Sequence, residues 1–162
     1  MPTFTIRFAA REDIPTLLTF IQELADYEHM PDAVVADPDV MASWMFERRV
    51  AEALIAEEDG VPVGMALFFH NYSTWLGKAG IYLEDLYVKP NYRGRGYGKA
   101  LLARLAALTV ERGCGRLEWA CLDWNTPSIG FYRALGAVSM DEWTTYRLTG
   151  DALETLAEEN HA

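Results

Sequence analysis

Between residues 93 and 99 the chain reads Arg93-Gly94-Arg95-Gly96-Tyr97-Gly98-Lys99, a composition and spacing suited to phosphate. Glycine at every second position permits positive φ and leaves backbone N–H groups uncovered, and a helix starting in the run aims the positive end of its dipole at the same place. Arg93, Arg95 and Lys99 add cationic side chains. Two familiar phosphate loops are excluded by spacing. A Walker A loop needs a glycine where this chain has Arg93 and a hydroxyl where it has Ala100. A Rossmann fingerprint needs Gly-x-Gly-x-x-Gly near the first strand of a βαβ array, whereas here the glycines alternate and lie past the midpoint.

A second group with chemical potential lies just upstream. In Ile81-Tyr82-Leu83-Glu84-Asp85-Leu86-Tyr87-Val88, two carboxylates sit among the apolar and aromatic residues of a buried strand. Strand alternation sends Glu84 and Asp85 to opposite faces, so at least one is placed where an idle carboxylate is costly. Glu84 is the candidate proton acceptor, although a carboxylate there can also face solvent or pair with an arginine. Downstream, Asp123-Trp124-Asn125-Thr126-Pro127-Ser128-Ile129-Gly130-Phe131-Tyr132-Arg133-Ala134-Leu135-Gly136-Ala137 opens a short helix with Asn125 at its cap and presents Tyr132 beside an apolar Phe131.

Arg93-x-x-Gly96-x-Gly98 resembles the pyrophosphate loop of the GNAT superfamily of N-acetyltransferases, and Asn125 to Ala137 resembles that family's second signature. Ile21 to Glu28, Trp75 to Lys78 and Tyr82 to Asp85 look like the diamine acetyltransferase (spermidine/spermine N-acetyltransferase-like) branch, so the likeness spans nearly the whole chain. It implies acetyl-CoA as co-substrate. The backbone of Gly94, Arg95, Gly96, Tyr97, Gly98 and Lys99 would hold the pyrophosphate, with Arg93 and Arg95 as charge partners. The backbone of Leu86, Tyr87 and Val88 would hold the pantetheine, and Asn125, Thr126, Pro127 and Ser128 would help to retain the cofactor.

Acetyl transfer from a thioester needs a neutral amine, a polarised carbonyl and a proton for the leaving sulfur; an alkylammonium with a pKa of roughly 10 therefore needs a base. By resemblance Glu84 is that base, acting through water, and also an amine ligand. Tyr132 is the general acid, since a phenol stays protonated at neutral pH. A backbone N–H near Leu86 would polarise the carbonyl. Tyr27, Glu28, Trp75 and Glu84 match positions that line the amine site, where carboxylates beside aromatic faces receive ammonium well; Tyr27 and Trp75 also have ordinary readings as caps of the core. Ser73 and Thr144 stand where that branch tends to place acids, which weakens recognition of a distant second ammonium, and Asp141 and Glu142 are possible substitutes. The expected reaction is direct acetylation, in a ternary complex, of a diamine, polyamine or thialysine-like amino acid. The alternatives are a peptide N-terminal or lysine acetyltransferase and a non-catalytic acyl-CoA sensor. A homodimer is also implied.

The elements that must position these residues alternate along the chain. Strand Phe4 to Phe8 leads to a helix from Asp13 to about Tyr27, with Pro15 in its first turn and Ile14, Leu17, Leu18, Ile21, Leu24 and Ala25 on one face. Asp37 caps a shorter helix begun by Pro38. Strands Ala53 to Ala56 and Val63 to Tyr72 flank the turn Glu58-Asp59-Gly60. After the strand of Glu84, a helix from Tyr97 to Glu111 presents Leu101, Leu102, Leu105, Ala106, Leu108 and Val110 as its apolar stripe. Leu117 to Leu122 reads as a strand, Thr126 to Leu135 as a helix ended by Gly136, Val138 to Leu148 as the last strands, and Gly150 to Glu158 as a closing helix. This is an α/β order (α+β in some schemes). The resemblance implies one GNAT acyl-CoA acyltransferase domain over 1–162, with a mixed, strongly twisted sheet flanked by helices whose two parallel strands splay apart.

Bulk properties narrow the partners. A chain of 162 residues with 51% hydrophobic content can bury a substantial core. Its net charge of −10 argues against nucleic acid and suits a cationic small molecule, although Asp151, Glu154, Glu158 and Glu159 can equally solubilise the last helix. The apolar runs are too short to span a membrane and no signal peptide is evident, so the cytoplasm is the expected location. Cys114 and Cys121, with His29, His70 and His161 scattered, form no disulfide framework or metal site. Cys121, in an apolar strand without a partner histidine, is expected to be a buried structural thiol.

Overall fold

The computed structural model describes residues 1–161, which fall into two compact units, Met1–Leu122 and one that begins at Asp123. The first unit holds a five-stranded mixed sheet. Strands β1 (Phe4–Phe8), β2 (Glu52–Glu58), β3 (Val61–Ser73) and β4 (Lys78–Val88) run antiparallel in chain order, and β5 (Leu117–Trp119) joins β4 in parallel. Asp59 and Gly60 take φ of 51° and 81° between β2 and β3, the left-handed pair of a type I′ turn.

Helices α1 (Ile14–Tyr27) and α2 (Pro38–Ala42) cover one face of the sheet, with a π-helical turn over Ser43–Glu47 continuing α2. Pro15 lies in the first turn of α1, where its missing N–H costs nothing. Asp37 caps α2 by accepting from the N–H groups of Asp39 and Val40 at 2.9 and 3.0 Å. Ile14, Leu17 and Phe20 of α1 pack with Ala53, Ile55, Met65 and Tyr87 of the sheet; burying each large apolar side chain of this kind contributes about 1.5–3 kcal/mol. Arg7 of β1 fixes the entry to α1 by a fork onto Asp13 at 2.7 and 2.9 Å while its Nε reaches Glu57 at 3.0 Å.

Helix α3 (Tyr97–Glu111) buries Leu101, Leu102, Leu105 and Leu108. Ala106 and Val110, expected on that stripe, are exposed, and Thr109 takes the inward place with its hydroxyl donating to the Leu105 carbonyl at 2.8 Å. The correction is one of phase: Thr109 lies four residues beyond Leu105, and its back-bonded hydroxyl makes it tolerable inside.

Strand β5 is shorter than Leu117 to Leu122, so Cys121 lies outside it and is half-buried rather than buried, as is Cys114. In the second unit, α4 (Thr126–Ala134) and α5 (Gly150–Glu158) form as expected. Gly136, at φ 93°, follows α4 in the left-handed conformation that ends a helix. The strands expected over Val138 to Leu148 are not formed. Their aromatic and β-branched content supplies propensity, but a strand exists only where a neighbour takes its N–H and C=O groups. Asn125 makes no side-chain cap bond to α4; its carbonyl instead accepts from Ile129 N–H at 3.1 Å.

Candidate active site

The glycine loop joins β4 to α3. Gly94 and Gly96 have φ of 77° and 82°, and a Cβ on either would meet nothing within 4 Å. Glycine is therefore required by the left-handed backbone, and the space above the loop is open. Gly98 sits inside the first turn of α3, where an added Cβ would have only Val88 Cγ2 near it, at 4.0 Å. Ala100 N–H donates to Gly96 O at 3.0 Å, closing the first helical turn and leaving the N–H groups of Tyr97, Gly98 and Lys99 directed out of the helix end. This bare-backbone cradle on a helix N-terminus fits a pyrophosphate.

The loop's arginines are engaged within the chain. Arg95 donates through Nη1 to both oxygens of Glu58 at 2.9 and 2.7 Å, and the Tyr97 hydroxyl donates to the same carboxylate at 2.9 Å. The Tyr97 ring stacks on Phe4 at 4.0 Å between centroids. Arg93 turns back toward β4, its Nε donating to Val88 O at 2.8 Å. Backbone amides and the exposed Lys99 thus face an incoming anion, while Glu58 holds the loop in shape.

The carboxylates are arranged by a β-bulge. Phe68 pairs with Leu83 and Leu67 pairs with Asp85, so Glu84 is an extra residue on β4. Alternation fails there: Leu83 shares a side with Phe68, whose ring faces Arg112 at the end of α3, whereas Asp85, opposite Leu67, lies on the side of α1. Glu84 is exposed and Asp85 is half-buried. Burial, then the charges of Glu84 and Glu28, push the Asp85 carboxyl up to about 6. Burial also raises the Glu28 carboxyl. Three acids from β4 and the end of α1 therefore repel one another in a partly dry place, which is relieved by a proton or by a cation. Asp85 is the residue that alternation alone undervalued; the Glu-Asp pair in the strand was its only signal.

Beyond Leu83 the parallel pairing of β4 with β5 stops, so among the described residues β3 is the only strand that pairs with Glu84 to Val88, and the Val88 carbonyl accepts from Arg93. The outer edge of this stretch, including Leu86, Tyr87 and Val88, suits an amide-bearing chain such as pantetheine. Gly64 lets β3 press against it: a Cβ there would lie 2.6 Å from Tyr87 O.

The structure brings Tyr27, Glu28, Glu84 and Asp85 to one end of β4, with Arg93 beside Tyr27 at 5.4 Å. It does not bring Trp75 to them. Trp75 is exposed at the β3–β4 turn next to the final pair Ser73–Lys78, and at about 3.3 Å per residue Glu84 lies roughly 20 Å further along the strand. Tyr132 and Asn125 to Ser128 belong to the second unit, where Tyr132 is half-buried on α4 with its ring 5.6 Å from that of Phe131. No group of side chains able to hold a metal ion occurs among the described residues.

The profile of the Acetyltransferase (GNAT) family matches residues 17–137. A thialysine N-epsilon-acetyltransferase of Bos taurus is 38% identical over 94% of this chain and 96% of its own length. A spermidine/spermine N(1)-acetyltransferase-like protein of Homo sapiens is 32% identical over 97% of this chain and 24% of its own length. Among solved structures, a predicted acetyltransferase of Clostridium acetobutylicum with acetyl-CoA superposes with a TM-score of 0.74 at 20% identity, covering 98% of this chain and 100% of that one.

Proposed function

This chain belongs to the Acetyltransferase (GNAT) family, and on that premise we propose that it acetylates a primary amine of a small cationic molecule, a diamine, polyamine or thialysine-like amino acid, in a ternary complex with acetyl-CoA. The observation that carries the choice of acceptor is the bulge at Glu84, which sets an exposed carboxylate beside a half-buried one that desolvation and its acidic neighbours push up to about 6. At neutral pH that site gathers the negative charges of exposed Glu84 and half-buried Asp85, next to a third from Glu28. A small alkylammonium is its natural counterion. The names of the relatives are consistent with this substrate class.

Glu84, facing solvent, draws the ammonium in, and Tyr27 offers it a ring face. Asp85 is the better placed proton acceptor, because a carboxylate titrating near neutrality takes a proton from an amine more readily than one at its ordinary value. Acetyl-CoA, when bound, supplies the thioester carbonyl. The amides of Gly94 to Lys99 would hold its pyrophosphate, and the outer edge of Leu86 to Val88 its pantetheine and carbonyl oxygen. Tyr132 would hold a proton for the departing sulfur, and Asn125 to Ser128 would help to retain the cofactor. We further infer that residues 1–162 act as one domain in the cytoplasm. We also infer a homodimer, which would cover the exposed Val138, Met140, Trp143 and Tyr146.

A thiol-release assay with acetyl-CoA over diamines, polyamines, thialysine-like amino acids and peptides tests the reading. Turnover should be greatest for the small diamino compounds, and Tyr132→Phe should lower kcat by roughly 100-fold or more, the usual range for a lost general acid, with acetyl-CoA affinity nearly unchanged. Binding of acetyl-CoA without release by any amine would overturn the enzyme reading, and preference for peptides would overturn the acceptor class.

A further inference from the structure

Arg93 starts the glycine loop, yet its side chain leaves the loop. Its Nε donates to Val88 O at 2.8 Å, and its guanidinium carbon lies over two rings at once, Tyr27 at 5.4 Å and Tyr87 at 5.6 Å. These rings come from different elements: Tyr27 is the last residue of α1 and Tyr87 lies near the end of β4. Tyr87 is itself held on the α1 side, tilted against Phe20 at 5.6 Å and within electrostatic reach of Glu23. Burial and Glu23 push its phenol up to about 12, with Arg93 opposing. One oxygen of Glu23, Oε2, is buried without a hydrogen-bond partner among the described residues.

We propose that Arg93 is a positioning residue that ties the cofactor loop to the acceptor wall, setting the place of Tyr27 and Glu28 against the carboxylates of β4. The proposal rests on the acceptor reading above. A planar guanidinium can satisfy the Val88 carbonyl and stack on both rings together; lysine, a compact and strongly hydrated charge, cannot. The Val88 contact lies on the stretch of β4 proposed for pantetheine, so loop geometry, strand edge and the end of α1 are joined through one side chain. Cofactor and amine should consequently bind cooperatively, each favouring the arrangement the other needs.

The test compares the unsubstituted enzyme with Arg93→Lys, Tyr27→Leu and the double variant, measuring CoA affinity by calorimetry and amine KM at saturating acetyl-CoA. Arg93→Lys should raise the amine KM about fivefold, within the range for loss of a partly shielded cation–π contact, and leave the CoA Kd within about twofold. It should also abolish the tightening of CoA by bound amine, and the double variant should be no worse than the more damaging single one. Tyr27→Leu leaves the loop intact and should lose the same cooperativity, which keeps the question open to measurement should Arg93→Lys fold poorly. A roughly tenfold loss of CoA affinity with the amine KM unchanged would mark Arg93 as a phosphate ligand and overturn the proposal, as would additive effects of the two substitutions. Failure of the acceptor reading is distinct: the unsubstituted enzyme would then acetylate no small amine.

Discussion

Replacing Asp85 by asparagine separates the cost of the acidic cluster from its use. In the folded protein burial and neighbouring charge raise this carboxyl from 3.8 to about 6, so the fold prefers the protonated form. Its contribution to stability is fully present below about pH 4 and is lost as pH rises through about 6. At about 1.4 kcal/mol per pH unit, keeping Asp85 ionised at neutral pH costs the fold on the order of 3 kcal/mol. Asparagine keeps the shape without the charge. Asp85→Asn should therefore be more stable than the parent at neutral pH, by up to about 3 kcal/mol or roughly 6–12 °C in Tm, and the difference should shrink toward about pH 4. Urea unfolding of both proteins between about pH 4 and pH 8 measures this directly. Acetylation should move oppositely, with the variant nearly inactive and the parent losing activity as pH falls through about 6. A stability difference that does not change with pH, or a variant less stable at neutral pH, would refute the reasoning.

Three further outcomes are expected. Gly96→Ala forces a side chain into φ 82° and should destabilise by about 1–2 kcal/mol, read as a lower Tm together with weaker CoA binding. Gly64→Ala would set a Cβ 2.6 Å from Tyr87 O, so β4 must move; kcat should fall by roughly tenfold or more even where calorimetry still detects CoA, because a misplacement of about 1 Å is costly to catalysis. Asp37→Ala removes the acceptor for two N–H groups of α2 and should cost about 1 kcal/mol in urea unfolding with little change in CoA affinity.

Local chemistry made much of the first unit legible. Pro15, Asp37-Pro38, Asp59-Gly60 and the glycine loop each act through their own backbone, and the elements they bound lie where expected. What escaped depends on partners distant in sequence. The bulge at Glu84 exists only because Leu67 and Phe68 of β3 pair on either side of it, and no pattern within β4 reveals that. Arg93 reads as a loop cation, and its contacts with Tyr27 and Val88 appear only once the chain is folded. Val138 to Leu148 has strand composition without a strand, because pairing is a property of two segments.

The bulge divides the β3–β4 hairpin into two registers, Gly64 to Leu67 against Asp85 to Val88 and Phe68 to Ser73 against Lys78 to Leu83. Because the phase is reset at Glu84, the outer half is mechanically a separate module: it can gain or lose a residue on each strand without turning Asp85 or Tyr87 to the wrong face. The hairpin tip that bears Trp75 can thus vary in length and sequence while Asp85 and Tyr87 at its root stay in register, whereas deleting the single residue Glu84 would join Leu83 to Asp85 in an unbroken ladder, each on the face it already occupies, and erase the local bend together with the exposed carboxylate.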